Sequence, residues 1–166
     1  MGHGGFYKCS KCGEEYYANT GIGMMFPTIY KSIQNEVSKG KYGKEWQELY
    51  NSEPLVAADA EVYLYVCKKC NYWETDYGLS LYAPNDLKTL KKKRYGEKTV
   101  EGWGMVPYAS GDDFKEDYHL LKRRIHKCEK CGSVMHKSTK QEEDNLPCPV
   151  CGGPPEEGGA STIMWD

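Results

Sequence analysis

No apolar run in this sequence approaches the roughly 18 residues a membrane span requires. Its opening, Met-Gly-His-Gly-Gly-Phe, has neither the basic stretch nor the apolar core of a secretory leader, so a cytoplasmic protein with no membrane partner is expected. Phenylalanine is scarce at 3 residues, and the hydrophobic share of 39% lies below that of an ordinary domain. A chain of 166 residues is then left with thin cores, of the kind that small domains reinforce with metal. Net charge is lacking too: 22 basic and 24 acidic side chains give −2, so no global basic field exists. No Gly-Lys-Ser/Thr follows the glycines of 19–26, which argues against a phosphate loop there. That stretch reads instead as a turn that lets Met24, Met25 and Phe26 fill a core.

What the chain does have is 8 cysteines, all in Cys-x-x-Cys pairs: Cys9 with Cys12, Cys67 with Cys70, Cys128 with Cys131, and Cys148 with Cys151. Each pair is followed by Gly13, Asn71, Gly132 or Gly152, residues that tolerate the positive φ at which a metal-binding knuckle turns back. Eight thiols in two sets of four predict two tetrahedral all-cysteine sites, each holding a structural Zn2+. A disulfide scaffold is the weaker alternative, because reducing compartments keep such thiols free for metal. Catalytic zinc needs an open fourth position, whereas four thiolates fill the shell. With no cysteine spare, His3, His119, His126 and His136 read as ordinary strand or surface residues. Three ways of pairing the knuckles exist. Cys12 and Cys67 are separated by 54 residues and Cys131 and Cys148 by 16, and shorter loops cost less entropy to close. The expected pairing is therefore first with second and third with fourth.

The fold expected is α+β, small and metal-stabilised: two zinc-ribbon units of short antiparallel strands, the first with a helical insertion. Residues 1–83 make the first unit, with a hairpin at 6–17, helices within about 27–52 and strands at 61–66, 72–75 and 79–82. Ile29, Ile33 and Val37 form the stripe of the first helix, with Pro27 at its start and Gly40 at its end. Residues 84–117 read as an aromatic, partly basic connector. Residues 118–166 make the second unit, with 120–127 leading as a strand into Cys128, 133–137 returning, 140–145 as a polar loop and 161–165 as a closing third strand.

Cys128-Glu-Lys-Cys131-Gly132 and Cys148-Pro149-Val-Cys151-Gly152 make this second unit resemble a rubredoxin-type zinc ribbon over about 40 residues. The resemblance implies a metal-stabilised platform, commonly used to contact nucleic acid or protein, and names no activity. Rubredoxins hold iron in the same cage, so iron is possible at this second site. The polar loop between the two pairs favours zinc. Zn2+ with four thiolates carries −2, and Lys8, Lys11, Lys68, Lys69, Lys127 and Lys130 beside the knuckles can offset it.

The task expected first is that of a non-catalytic protein-interaction adaptor, since exposed tyrosine and tryptophan suit such contacts. The alternative is a nucleic-acid-binding module using the basic runs 88–94 (Lys88, Lys91, Lys92, Lys93, Arg94) and 122–124 (Lys122, Arg123, Arg124), with Tyr95, Trp103 and Tyr108 near enough to stack. A rubredoxin-like electron carrier or enzyme comes third. Asp59, Glu61 and the Ser110–Asp113 turn offer carboxylates, but their spacing defines no mechanism and no catalytic residue is assigned.

Overall fold

The computed structural model describes residues 2–93, 108–156 and 161–165. In chain order the elements are β1 (Gly2–Lys8), β2 (Glu15–Thr20), α1 (Phe26–Ser38), α2 (Lys44–Tyr50), β3 (Ala57–Ala58), β4 (Val62–Val66) and β5 (Trp73–Tyr77). There follow β6 (Leu81–Pro84), α3 (Leu87–Lys91), α4 (Gly111–Glu116), β7 (Tyr118–Lys122), β8 (His136–Lys137), α5 (Lys140–Asp144) and β9 (Ser161–Trp165). Helices and antiparallel strands coexist, as the α+β expectation requires. No helix among the described residues is long and apolar enough to cross a membrane.

Contacts gather the chain into two compact units, neither continuous in sequence. The first is Met1–Gly23, Val62–Tyr77 and Ile125–Asp166; the second is Met24–Glu61 and Gly78–Arg124. These units differ from the sequential division into 1–83, 84–117 and 118–166. The reason is strand pairing across long sequence distances. In the first unit β1 pairs with β2, with Phe6 opposite Tyr17, and its other edge takes β9, with Gly4 opposite Ile163. The strand at 161–165 does close a three-stranded sheet, but on the N-terminal hairpin rather than within 118–166. A second sheet has β4 at its centre, between β5 and β8. An isolated bridge joins Gly21, just past β2, to Val62 of β4.

The second unit carries α1 to α4, and α5 belongs to the first. Pro27 sits in the first turn of α1, and Phe26, Tyr30, Ile33 and Val37 are its buried stripe. The expected stripe was slightly rotated: Ile29 is only half-buried. Gly40 takes φ +84° where that helix ends. The sheet of this unit runs β3-β6-β7. Phe114 of α4 stacks on Tyr82 of β6 at 4.3 Å between ring centroids. Trp46 donates its indole N–H to the Leu79 carbonyl at 2.7 Å.

Several local expectations are corrected. Residues 120–127 do not run as a strand into Cys128; β7 ends at Lys122 and pairs with β6. The connector at 84–117 is in part regular structure. Asp86 caps α3 by accepting from the backbone of Lys88 and Thr89, and the Ser110 backbone donates to Asp113 at 3.1 Å at the start of α4. The connector residues Arg94, Tyr95, Trp103, Met105 and Val106 lie outside the described residues. Met24 and Met25 do not fill a core: they are 73% and 58% exposed, and only Phe26 turns in.

The polar loop at 140–145 is the helix α5. Thr139-x-x-Glu142 forms a capping box, with the Glu142 N–H donating to Thr139 Oγ1 at 3.3 Å and the Thr139 N–H to Glu142 Oε2 at 2.8 Å. One turn of helix has little propensity to form alone, so this cap decides it. Replacing Thr139 by Ala should cost about 1 kcal/mol. Thermal denaturation measures it, and an unchanged midpoint would show that α5 is held by other contacts.

Candidate metal centres

Each knuckle is built the same way. The residue after the second cysteine donates its N–H back to the carbonyl of the first: Gly13 to Cys9 at 2.9 Å, Asn71 to Cys67 at 2.8 Å, Gly132 to Cys128 at 2.8 Å and Gly152 to Cys148 at 2.9 Å. All four donors have positive φ, at 76°, 57°, 69° and 68°. The first cysteine's own N–H then reaches forward five residues, to Glu14, Tyr72, Ser133 or Gly153, at 2.8 Å each time. This closed turn aims both sulfurs of a pair to one side. In every knuckle the first cysteine is buried and the second is exposed or half-exposed.

The structure brings the knuckles together as first with fourth and second with third. Cys9, Cys12, Cys148 and Cys151 form one tetrad; Cys67, Cys70, Cys128 and Cys131 form the other, and the sulfurs of each lie within 4.8 Å of one another. The expected pairing of neighbours along the chain is therefore overturned, and with it the single ribbon at 118–166 and its own site. Loop entropy rises only with the logarithm of length, a small bias that strand pairing and core burial outweigh. The tetrads are nested: the inner one, from the second and third knuckles, lies within the sequence span of the outer one.

Geometry fits a metal ion. Close contacts between sulfurs of different knuckles run from 3.4 to 3.7 Å. Four thiolates at about 2.3 Å around a tetrahedral ion stand about 3.8 Å apart. In the outer tetrad the Lys11 and Gly153 N–H groups donate to Cys9 and Cys151 sulfurs at 3.4 Å each.

Electrostatics fit too. Cys9 is held down to about 6, first by a backbone hydrogen bond at Cys12, with burial opposing and Lys11 and Cys151 adding to the fall. Its neighbour Cys12 goes up to about 12: the backbone at Glu14 resists, but the Cys151 thiol, burial and the remaining sulfurs override it. The inner tetrad repeats the split. Cys131 is held down to about 6 by the Ser133 side chain and backbone, while Cys70 rises to about 12 against the Tyr72 backbone through burial and the other three thiols. Four thiols this close cannot all ionise by themselves; a dication in their midst removes the conflict.

Each tetrad anchors its own core. Tyr7, Cys9, Tyr16, Ala18, Leu64, Val66, Leu146 and Cys148 cluster around the outer one. Around the inner one lie Tyr65, Cys67, Cys128 and Met135. Among the described residues the segment that delivers Cys148 has no strand partner, and aromatic polar heads satisfy its carbonyls. Tyr7 donates to Glu143 at 2.9 Å, Tyr16 to Leu146 at 2.5 Å and Trp73 Nε1–H to Pro147 at 2.7 Å. Burial, and then the acids Glu143 and Asp144, raise the Tyr7 phenol; burial and then Cys148 and Cys9 push Tyr16 up to about 12. Both phenols stay protonated as donors. This aromatic clasp was not found from sequence, where Tyr7, Tyr16 and Trp73 read only as hairpin residues.

Among the described residues no histidine joins either tetrad. Buried His126 stacks on Tyr65 at 3.7 Å and has Asp76 at 3.6 Å; His136 meets Glu142 at 2.8 Å; His119 meets Asn85 at 3.1 Å. Of the carboxylates named from sequence, Glu61 accepts from the Gly111 N–H at 2.5 Å, and Asp59 from the Glu61 N–H at 3.1 Å. The basic runs are partly engaged. Lys122 pairs with Glu45 at 2.6 Å, Arg124 lies over the Trp46 ring, and Lys93 pairs with Asp117 at 2.7 Å. Of the knuckle lysines, Lys8 reaches Glu156 at 3.9 Å and Lys130 lies over Tyr72 at 4.6 Å, while Lys11, Lys68, Lys69 and Lys127 are exposed.

The nested pairing is tested by deleting whole knuckles as Cys→Ser pairs and counting ions by native mass spectrometry. Removing Cys9, Cys12, Cys148 and Cys151 together should leave one ion, and removing Cys9, Cys12, Cys67 and Cys70 should leave none. One ion in the second variant would restore the pairing of neighbours.

No family model matches this chain, and neither does any curated protein or solved structure, so its assignment rests on its own residues.

Proposed function

We propose that this chain is a non-catalytic zinc protein of zinc-ribbon type, with one structural Zn2+ in each tetrad, and that it acts as a protein-interaction adaptor. The observation that carries the metal assignment is four thiols per site, within 4.8 Å of one another, with no histidine or carboxylate among them. Zn2+ in such a shell is closed to substrate, so its contribution is folding free energy rather than chemistry. Iron would fit the same four sulfurs. Zinc is favoured because each site leaves one thiolate, Cys12 or Cys70, exposed to water, a poor shield for a redox ion.

The adaptor reading is supported by Met24 and Met25, two large flexible apolar side chains left in water beside the buried Phe26. It gains from the engagement of Lys93, Lys122 and Arg124 by their own unit, which leaves fewer cations for phosphate.

Elemental analysis of protein from zinc-replete medium should give about two ions per chain. A photoreactive residue at Met24 or Met25 should yield protein adducts in the native cell, whereas one at Lys91 or Lys92 should not. Labelled single-stranded and duplex nucleic acid should not bind at low salt. Binding that weakens steeply as salt rises, with adducts equal at both positions, would replace the adaptor by the nucleic-acid module.

A further inference from the structure

The nesting of the two tetrads has an energetic consequence. The inner one closes a loop of 57 residues between Cys70 and Cys128, whereas the outer one must close 135 between Cys12 and Cys148. Chain entropy alone disfavours the outer closure by about fourfold. Once the inner tetrad is closed, only the 54 residues before Cys67 and the 16 after Cys131 remain free between the outer knuckles, which eases the outer closure by about threefold.

Packing points the same way. Leu64 and Val66 of β4 and Trp73 of β5 belong to the hairpin that carries the second knuckle, yet they pack in the core of the outer tetrad. Trp73 also donates to the carbonyl of Pro147, the residue immediately before Cys148. The hairpin that supplies two inner ligands is thus the surface on which the last outer knuckle is set.

We infer that the two centres fill in a fixed order, inner before outer, and empty in the reverse order, with Trp73 as the positioning residue that couples them. The inference rests on the assignment of both tetrads as metal centres. The coupling is reciprocal, as linkage requires, so each ion strengthens the other; the order comes from the unequal loops. The outer centre is then a clasp over α5, the fourth knuckle and β9, and it opens while the inner ribbon still stands.

The test uses the full chain loaded with two Zn2+, under reducing conditions, against rising chelator. Native mass spectrometry counts ions at each step, and a brief alkylation pulse with peptide mapping finds the freed thiols. Both tetrads have the same pattern of buried and exposed cysteines, so labelling order reports metal loss rather than access. A one-ion species should appear with Cys9, Cys12, Cys148 and Cys151 labelled and Cys67, Cys70, Cys128 and Cys131 protected. A one-ion species with the opposite or mixed labelling, or none at all, overturns the order. A chain that takes up no ion fails the metal assignment instead.

Trp73→Phe keeps the ring and removes the N–H. It should move the two-ion to one-ion step to about fivefold lower chelator, the worth of one net hydrogen bond, and leave the loss of the last ion in place. Equal movement of both steps marks general destabilisation, and movement of neither removes Trp73 from the coupling; either result rejects its role.

Discussion

Four thiols crowded within a few ångströms of one another are unstable company without a cation, and the first unit is arranged around two such groups. Within each, one sulfur is drawn down to about 6 and another driven up to about 12. An ion in their midst would let all four ionise at once and convert the mutual penalty into a cross-link. The knuckle turns, the positive-φ residues and the hairpins behind them serve to present sulfurs in pairs. Strand pairing then decides which pairs meet.

Much of the local structure was legible because its causes are local. A positive φ after each knuckle follows from Gly or Asn at that position, and Asn71 at 57° is the informative instance, since it repeats the geometry without the glycine. Pro27 and the apolar period placed α1, and the β-branched and aromatic run within 61–66 placed β4. What failed was long-range. Loop length is a weak guide to partner choice because its cost is logarithmic, whereas the β1–β9 and β4–β8 pairings satisfy rows of backbone groups together. The helix α5 was missed for a different reason: its capping signal, Thr139-x-x-Glu142, precedes no apolar run and looks like an ordinary polar loop. Met24 and Met25 were assigned to a core because they are apolar, yet hydrophobicity permits burial without requiring it.

Histidine and carboxylate ligands were set aside at the sequence level by arithmetic rather than by geometry. Eight thiols fill two four-coordinate shells, so nothing else is needed. The structure gives those residues other partners. His126 stacks on Tyr65, and Glu61 receives the Gly111 N–H at the start of α4. The same holds for part of the basic sequence. Lys122 and Arg124 look like a phosphate-binding run when read along the chain, but Glu45 and Trp46 take them up within their own unit.

The strongest strand signal in the sequence turns out to be the element that both centres share. In an isolated ribbon a strand would bury one face and alternate. In β4 Leu64, Tyr65 and Val66 are all buried, and Cys67 after them. Leu64 and Val66 turn to the core of the outer tetrad, while Tyr65, with Tyr63 partly buried beside it, turns to the inner one. A strand with a core on each side must be apolar or aromatic at every position, which is why Val-Tyr-Leu-Tyr-Val reads as a continuous run rather than an alternating one. A charge placed at Leu64 or at Tyr65 would therefore be desolvated against the core of a different tetrad in each case. In the nested arrangement one hairpin supplies two thiols to the inner tetrad and a wall to the core of the outer one.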